Sequence, residues 1–533
     1  MSLTLFQNGK LALSPLTGFS KEAGVIAKDG KIIAIGQTDD LKLQLSSRSY
    51  RTVDWEGAYV LPGLVDSHMH LSMYGMKLGM LDFTEAKSKD EMLEMLRKRA
   101  EMTPPGAWIL GLNWNENAFK PAISPDIHEL DAVTDRHPVF LTRTCFHAFI
   151  GNTEAFRRAG VDENTPDPVS GAYGRDRQGR LNGWIYEEAS QPFNEAQPEP
   201  EYAVKKACIK RACEDALRRG LTASHTEDLR FLGSIETMLR IYSELREEGL
   251  AFRTHQLIYY PFLEEAQKLG LQTGAIDEWL AIGAVKLFAD GAIGGRTALL
   301  REPYYDAPGA KGMAILTQEQ LEDITLRARS AGFPIAVHAI GDGAADMVLT
   351  SLEKNRLDSA ARLPDRFIHA QVLDKELVER MARLRLAADI QPRFVASDFP
   401  WVLERVGPDR SEYLYAWRKL LDAGIACAGG SDAPIEPLDP FLGIHAAITR
   451  RKPEETHNGY LPAEKLGISE AINLFTTGSA AAAGEMKLRG KIVEGYAADF
   501  TVLKQNVFEA SPDELLRQKV LMTVVNGTVA HQG

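Results

Sequence analysis

Cysteine is scarce in this chain. Its 533 residues include only four, Cys145, Cys208, Cys213 and Cys427, and no two of them have CxxC spacing. That excludes a disulfide-stapled mini-protein and predicts reduced, mostly buried thiols of a cytoplasmic protein. Long apolar runs are missing: none reaches the ~18 residues of a membrane span. The opening MSLTLFQNGK lacks a basic stretch followed by an apolar one, so no secretory leader is expected. Basic residues are outnumbered, 61 Lys+Arg against 73 Asp+Glu for a net charge of −12. General nucleic-acid binding, which needs basic patches to displace counterions, is therefore not expected. Internal repeats and low-complexity tracts are also absent. What remains is ordinary globular usage, 44% hydrophobic and 25% charged, in a chain too long for one ordinary core.

Both ends of the chain read as short strands. LTLFQNGKLAL contains Asn8-Gly9 between apolar runs, GVIAKDGKIIAIG contains Asp29-Gly30, and VLMTVVNGTVAH contains Asn526-Gly527. Each dipeptide predicts a tight hairpin turn. Residues 1–60 and 487–533 are thus expected to form one small β domain, two unrelated terminal hairpins being the alternative. Between them lie LPGLVDSHMH, LTASHTED, AFRTHQLIYY, AVKLFADG, PIAVHAIGD, RFIHAQ, AADIQP and ACAGGSDAP. Amphipathic stretches such as TQEQLEDITLRARSAG and KELVERMARLR separate several of these. Alternating strand and helix predict a parallel sheet with helices outside, and eight strands fit a closed (β/α)₈ TIM barrel over residues 61–486. A doubly wound open sheet is the alternative, weakened because no GxGxxG follows the first strand. Residues 80–200 break the rhythm with WILGLNWNENAF, PVFLTRTCFHAFIGN and the turn-rich GAYGRDRQGRLNGWIYEEA. We read them as an insertion after the first barrel strand, lid-like over the barrel mouth.

Chemistry concentrates at the strand ends. Residues two apart on a strand face one side, so His68 and His70 can grip one metal ion. Taken alone, they could equally be two surface histidines. His338 in PIAVHAIGD, His369 in RFIHAQ and Asp432 in CAGGSDAP close strands of their own. In a barrel these ends meet at the face that carries the chemistry. Any one of them could be a packed core histidine or a helix-capping aspartate; five together are costly to bury without a shared partner. Lys286, between Val285 and Leu287, is an unusual lysine inside an apolar strand. Desolvation disfavours its charge, and a neutral amine can take up carbon dioxide as a carbamate. The other reading is an ammonium paired with Asp290. His225 in TASHTED faces the mouth as a substrate contact or as a packed residue behind the ligands, and His255 is equally open.

These strings have a family likeness. NGK, KIIAIG, LPGLVDSHMHL, AVKLFADGAIGGRT, VHAIGDGAAD, GGSDAPIEPLDPFLGIHAAITR and GKIVEGYAADFTVL span nearly the whole chain. Together they resemble the amidohydrolase superfamily, most closely its type-three branch of metal-dependent hydrolases. The resemblance implies a distorted (β/α)₈ barrel with a small β-sandwich built from both chain ends. It also implies metal ligands at His68, His70, Lys286, His338, His369 and Asp432, holding one or two divalent ions, with Zn²⁺ expected. Lys286 would bridge the ions as a carbamate, and Asp432 would move the proton in catalysis. Such an ion lowers the pKa of bound water toward ~7 and polarises a carbonyl. In the insertion, His147 matches a family histidine, while Phe146 stands where glycine is common. His147, Trp114, Trp184, His225 and Arg296 are the candidate substrate contacts. For the two tryptophans, packing inside the insertion is the competing role; for Arg296, it is holding its own loop rather than meeting a substrate carboxylate. The implied activity is hydrolysis of a non-peptide C–N bond in a small N-acyl, N-formyl or other amide-like substrate. Deamination or opening of a cyclic amide on the same frame is the alternative, and a non-catalytic barrel scaffold a more distant one. A homodimer without nucleic-acid or membrane partners is the expected assembly.

Overall fold

Two periodicities shape the molecule, alternation at the ends of the chain and strand-helix repetition in the middle. The computed structural model describes residues 3–14, 18–145, 147–358 and 361–533. It forms two compact units, one of Met1–Tyr74 with Ile209–Gly533, the other of Gly75–Cys208. None of its helices is long and apolar enough to cross a membrane, among the described residues.

The first unit contains the barrel. Its strands are Leu64–Met69, Leu221–Thr226, Arg253–Tyr259, Leu280–Phe288, Ile335–Ala339, Arg366–His369, Ala387–Ile390 and Ala426–Gly429. They pair in sequence order, every one parallel to its neighbour, as the eight segments predict. The eighth returns to the first through Asp432 N–H donating to the His68 carbonyl at 2.7 Å and His70 N–H to the Ala433 carbonyl at 2.8 Å. Helices lie between the strands, and their ends are written locally. Ser234 caps Ile235–Glu247 by accepting from Thr237 N–H, and that helix buries Ile235, Met238, Ile241 and Leu245 at spacings of three and four. Thr317 and Gln320 form a capping box on Gln318–Ser330, and Asp374 caps Lys375–Leu384.

Both chain ends join one eight-stranded sheet. Tyr59–Pro62 sits beside Leu3–Leu11 on one side and Phe500–Leu503 on the other. Alternation sorts the side chains. Phe6, Val25, Val60, Phe500 and Val524 share one core, while Leu5 and Ile26 turn the other way onto Leu41 and Leu45 of a short helix. Asp29-Gly30 and Asn526-Gly527 make the predicted two-residue turns, with positive φ at all four residues. Asn8-Gly9 does not. Leu3–Leu11 runs straight through it, with a register shift between Phe6 and Gly9. The positive φ of Asn8 serves a bulge instead of a turn, and a Cβ on Gly9 would lie 2.4 Å from the Trp55 ring.

The second unit has a sheet of its own, six strands in the order Gly171–Arg175, Leu181–Glu187, Ala148–Gly151, Val139–Arg143, Ile109–Trp114, Leu81–Asp82. The turn-rich segment GAYGRDRQGRLNGWIYE makes a hairpin; the remaining strands did not stand out in sequence because each is short. Asn152 ties the sheet to a helix. It is fully buried, accepts from Val139 and Ala155 N–H, and donates to the Thr134 and His137 carbonyls. Asn152→Ala strips a helix cap and orphans buried groups, so we expect a loss of about 2 kcal/mol in a denaturant titration.

Candidate metal centre

The first barrel strand ends in Asp66, Ser67, His68 and Met69, and His70 follows directly. Alternation puts the two imidazoles on one side, their ring centroids 5.5 Å apart. The eighth strand delivers Asp432 to the same point. Asp432 Oδ1 lies 3.5 Å from His68 Nε2 and 3.4 Å from His70 Nε2. These three are the group of buried ligand-type side chains that can hold a metal ion, among the described residues. Lys286, wholly buried on the fourth strand, brings Nζ to 3.4 Å from His68 Nε2. His369 follows, its ring 5.8 Å from that of His68 and 4.4 Å from that of His338. Asp432 and His369 both have positive φ, an arrangement that costs a non-glycine residue about 1–3 kcal/mol and is characteristic of functional sites.

Hydrogen bonds set which nitrogen of each ring is available. A carbonyl only accepts, so His70 Nδ1 carries a proton toward Glu227 O at 2.9 Å; burial lowers the His70 pKa, but Asp432, 3.4 Å from Nε2, and Glu227 outweigh it and raise it above the ordinary imidazole value. His338 Nε2 likewise donates to the Gly291 carbonyl at 3.1 Å, leaving Nδ1 free. Gln391 Nε2 donates to the Asp389 carbonyl, which turns Oε1 to accept from His369 Nδ1 at 2.7 Å. Burial holds His68 and His338 well below the ordinary imidazole value and His369 at about 4. Burial also pulls Lys286 down to about 7. For Asp432, burial pushes the carboxyl up, but the hydrogen bond from His70 and the positive surroundings of His70 and Lys286 outweigh it and hold it below the usual carboxylate value. Imidazoles around a carboxylate are the donor set that suits a divalent ion such as Zn²⁺, and the residues present fit one.

Several supporting residues did not stand out in the sequence. Asp66 accepts from His68 and Ser431 N–H and so joins the first strand to the eighth. Glu227 is fully buried beside His70. Gln391 aims His369; its loss through Gln391→Leu should weaken metal affinity about 10–100-fold, measured by competition with a chelating dye. Arg366 and Asp389 form an ion pair with no side-chain exposure, at 2.7 and 2.8 Å, and Arg366 Nη2 also donates to the Ser67 carbonyl at 2.7 Å. The available signal was a charged residue inside each of two apolar strands.

Other candidates lie elsewhere. Asp290 is not the partner of Lys286. It accepts from the Ile340, Gly341 and Leu299 N–H groups and so organises the loop around His338. Arg296 is held by Asp306 through two hydrogen bonds, at 3.1 and 2.6 Å. His225 packs 4.8 Å from His255, and both line a small cavity with Asp277, Trp279 and Arg489, residues at or before the strand starts or beyond the barrel. In the second unit Trp114 is fully buried, its indole N–H on the Leu141 carbonyl and its ring 5.2 Å from Trp184, so it packs and offers no face to a ligand. Trp184 also stacks on Tyr186. His147 is exposed and pairs with Glu187 at 3.0 Å. Phe146 lies outside the described residues. All four cysteines are free, Cys145 exposed and the other three buried.

Known proteins are similar to this chain over nearly its whole length. YtcJ of Bacillus subtilis is 40% identical over 510 residues, covering 95% of this chain and 96% of its own. The N-substituted formamide deformylase of Arthrobacter pascens is 26% identical over 95% of this chain and 94% of its own. A crystal structure of an uncharacterized metal-dependent hydrolase from Pyrococcus horikoshii superposes with a TM-score of 0.79 at 30% identity, covering 96% of this chain and 99% of that one. The model of the amidohydrolase family matches residues 51–531, and with this fold and donor set the chain belongs to that family of metal-dependent hydrolases.

Proposed function

We propose that this protein hydrolyses a non-peptide C–N bond in a small amide-like molecule, an N-acyl or N-formyl compound, with His68, His70, Lys286, His338, His369 and Asp432 as its metal ligands. The observation that carries the reading is the convergence of His68 Nε2, His70 Nε2 and Asp432 Oδ1 at the strand ends, with Lys286 Nζ beside them. A divalent ion held there supplies water activation and carbonyl polarisation. The chain supplies the rest. Asp432 directs Oδ1 at the two imidazoles, which leaves Oδ2 to accept the proton of the attacking water and return it to the leaving nitrogen. His70 and His369 are kept in fixed tautomers by Glu227 O and Gln391, which leaves Nε2 of each ring as the nitrogen available to the ion. Lys286 is buried without a salt-bridge partner among the described residues, which supports the carbamate.

The test is metal analysis of the purified protein, followed by turnover of a panel of N-formyl, N-acyl and cyclic amides. The reading expects one or two bound divalent ions and release of amine from acyclic members. Turnover confined to cyclic amides or amino-heterocycles would replace it with the deaminase or ring-opening alternative. Metal-free protein, inactive after addition of Zn²⁺ or Mn²⁺, would leave only a scaffold.

A further inference from the structure

An arginine stands at the rim of this centre with its fork uncommitted. Arg230 belongs to the turn Leu229–Leu232 that follows the second barrel strand, on the face where the ligands sit. Its Nε donates to Glu227 Oε2 at 2.7 Å, and its backbone N–H to Glu227 Oε1 at 3.1 Å. Its guanidinium carbon lies 4.6 Å from the ring centre of Phe288 and 5.7 Å from that of Tyr259, residues that end the fourth and third barrel strands. The same Phe288 ring carries Lys286 Nζ at 4.8 Å and packs 5.4 Å from His338. Arg230 is therefore one aromatic ring away from two of the proposed ligands. Its Nη groups have no hydrogen-bond partner among the described residues, and its side chain is 39% exposed, while Glu227 is wholly buried.

This differs from an ordinary surface ion pair. A pair formed only for stability would be free to use both edges of the guanidinium; here Glu227 uses Nε alone, and two rings hold the plane. A planar fork fixed by stacking, with its outer edge free, is the geometry that takes a carboxylate through two parallel hydrogen bonds. Arg296, the other arginine considered for this role, has that edge filled by Asp306.

We infer that Arg230 reads a carboxylate on the substrate, so that the amide-like compound hydrolysed here is an acid, such as an N-acyl amino acid or an amide of a dicarboxylic acid. The inference rests on the amide-hydrolase reading for the bond that is cleaved, but binding tests it separately. The probes are two sulfonamides that resist hydrolysis, N-methanesulfonylphenylalanine and N-benzyl-3-sulfamoylpropionate, each beside its own carboxamide. Calorimetry uses the full-length, metal-loaded protein. At least one acid should bind tenfold or more tighter than its carboxamide, and Arg230→Met should remove that difference, bringing the acid to the level of its carboxamide. Arg230→Lys, which keeps the charge and loses the fork, should fall between. Because Arg230→Met leaves the buried Glu227 uncompensated, Glu227→Gln/Arg230→Met serves as the second variant and should lack the preference as well. Equal binding of acid and carboxamide in both pairs, or a preference that survives in Arg230→Met, overturns the assignment. A preference that depends on Arg230, in a protein that hydrolyses none of the amide panel, supports the assignment and removes the hydrolase reading instead.

Discussion

Asp432→Asn is expected to lower kcat by ~10²–10⁴-fold while the purified variant keeps most of its metal. Asparagine has the shape of aspartate and still offers an oxygen where Oδ1 faces His68 and His70. It cannot take a proton, so the step that fails is transfer between the attacking water and the leaving nitrogen. KM should move little, because the role proposed for this residue is proton transfer and not substrate binding. His68→Asn provides the contrast. It removes a nitrogen from the middle of the cluster, next to both Lys286 and Asp432, and should lose metal and activity together. Metal content and kcat measured on the same preparations separate the two cases. A metal-loaded Asp432→Asn enzyme with substantial turnover would end the proton-transfer role, and full occupancy in His68→Asn would end the ligand role.

The second large effect lies inside the barrel wall. Arg366→Ala should cost ~3–5 kcal/mol, because it leaves Asp389 charged and buried without its partner. The double replacement Arg366→Met/Asp389→Leu removes both charges and should recover most of that loss. Denaturant melts of Arg366→Ala and the double variant test this, and adding Arg366→Met, Asp389→Leu and the parent closes a double-mutant cycle. A mild Arg366→Ala, or a double variant no better than the single, would contradict the desolvation argument. The pair also acts on the site, since Arg366 holds the Ser67 carbonyl directly before His68. The stable double variant is thus expected to bind metal more weakly than the parent, although it changes no proposed ligand.

The barrel was legible because each of its strands is a short apolar run, several of them ending in a titratable residue. A charged or imidazole group at the end of a buried strand carries a desolvation cost that marks it in sequence. The same logic separated Lys286 from ordinary surface lysines. Gln391, Glu227 and the Arg366–Asp389 pair were not singled out because their roles exist only across chain separations that sequence does not reveal. Arg230 stayed silent for a related reason: DLR reads as a solvated turn until Phe288 and Tyr259 arrive beneath it. Asn8-Gly9 misled because the backbone conformation that closes a hairpin also makes a bulge, and the difference is set by Trp55 packing over the glycine. The sheet of the second unit was largely hidden by brevity, its strands being two to seven residues long.

The terminal sheet imposes an order on biosynthesis. Tyr59–Pro62 must pair with Phe500–Leu503, and the ring of Phe6 is covered by Phe500. At ~5–20 residues per second, the ribosome needs roughly 20–90 s to make the intervening chain. Throughout that interval the nascent N-terminal hairpin displays an open strand edge and an uncovered aromatic face, the two features that recruit chaperones or seed aggregation. Yield in the cell should therefore depend more on what meets residues 3–62 during translation than on the stability of the finished barrel.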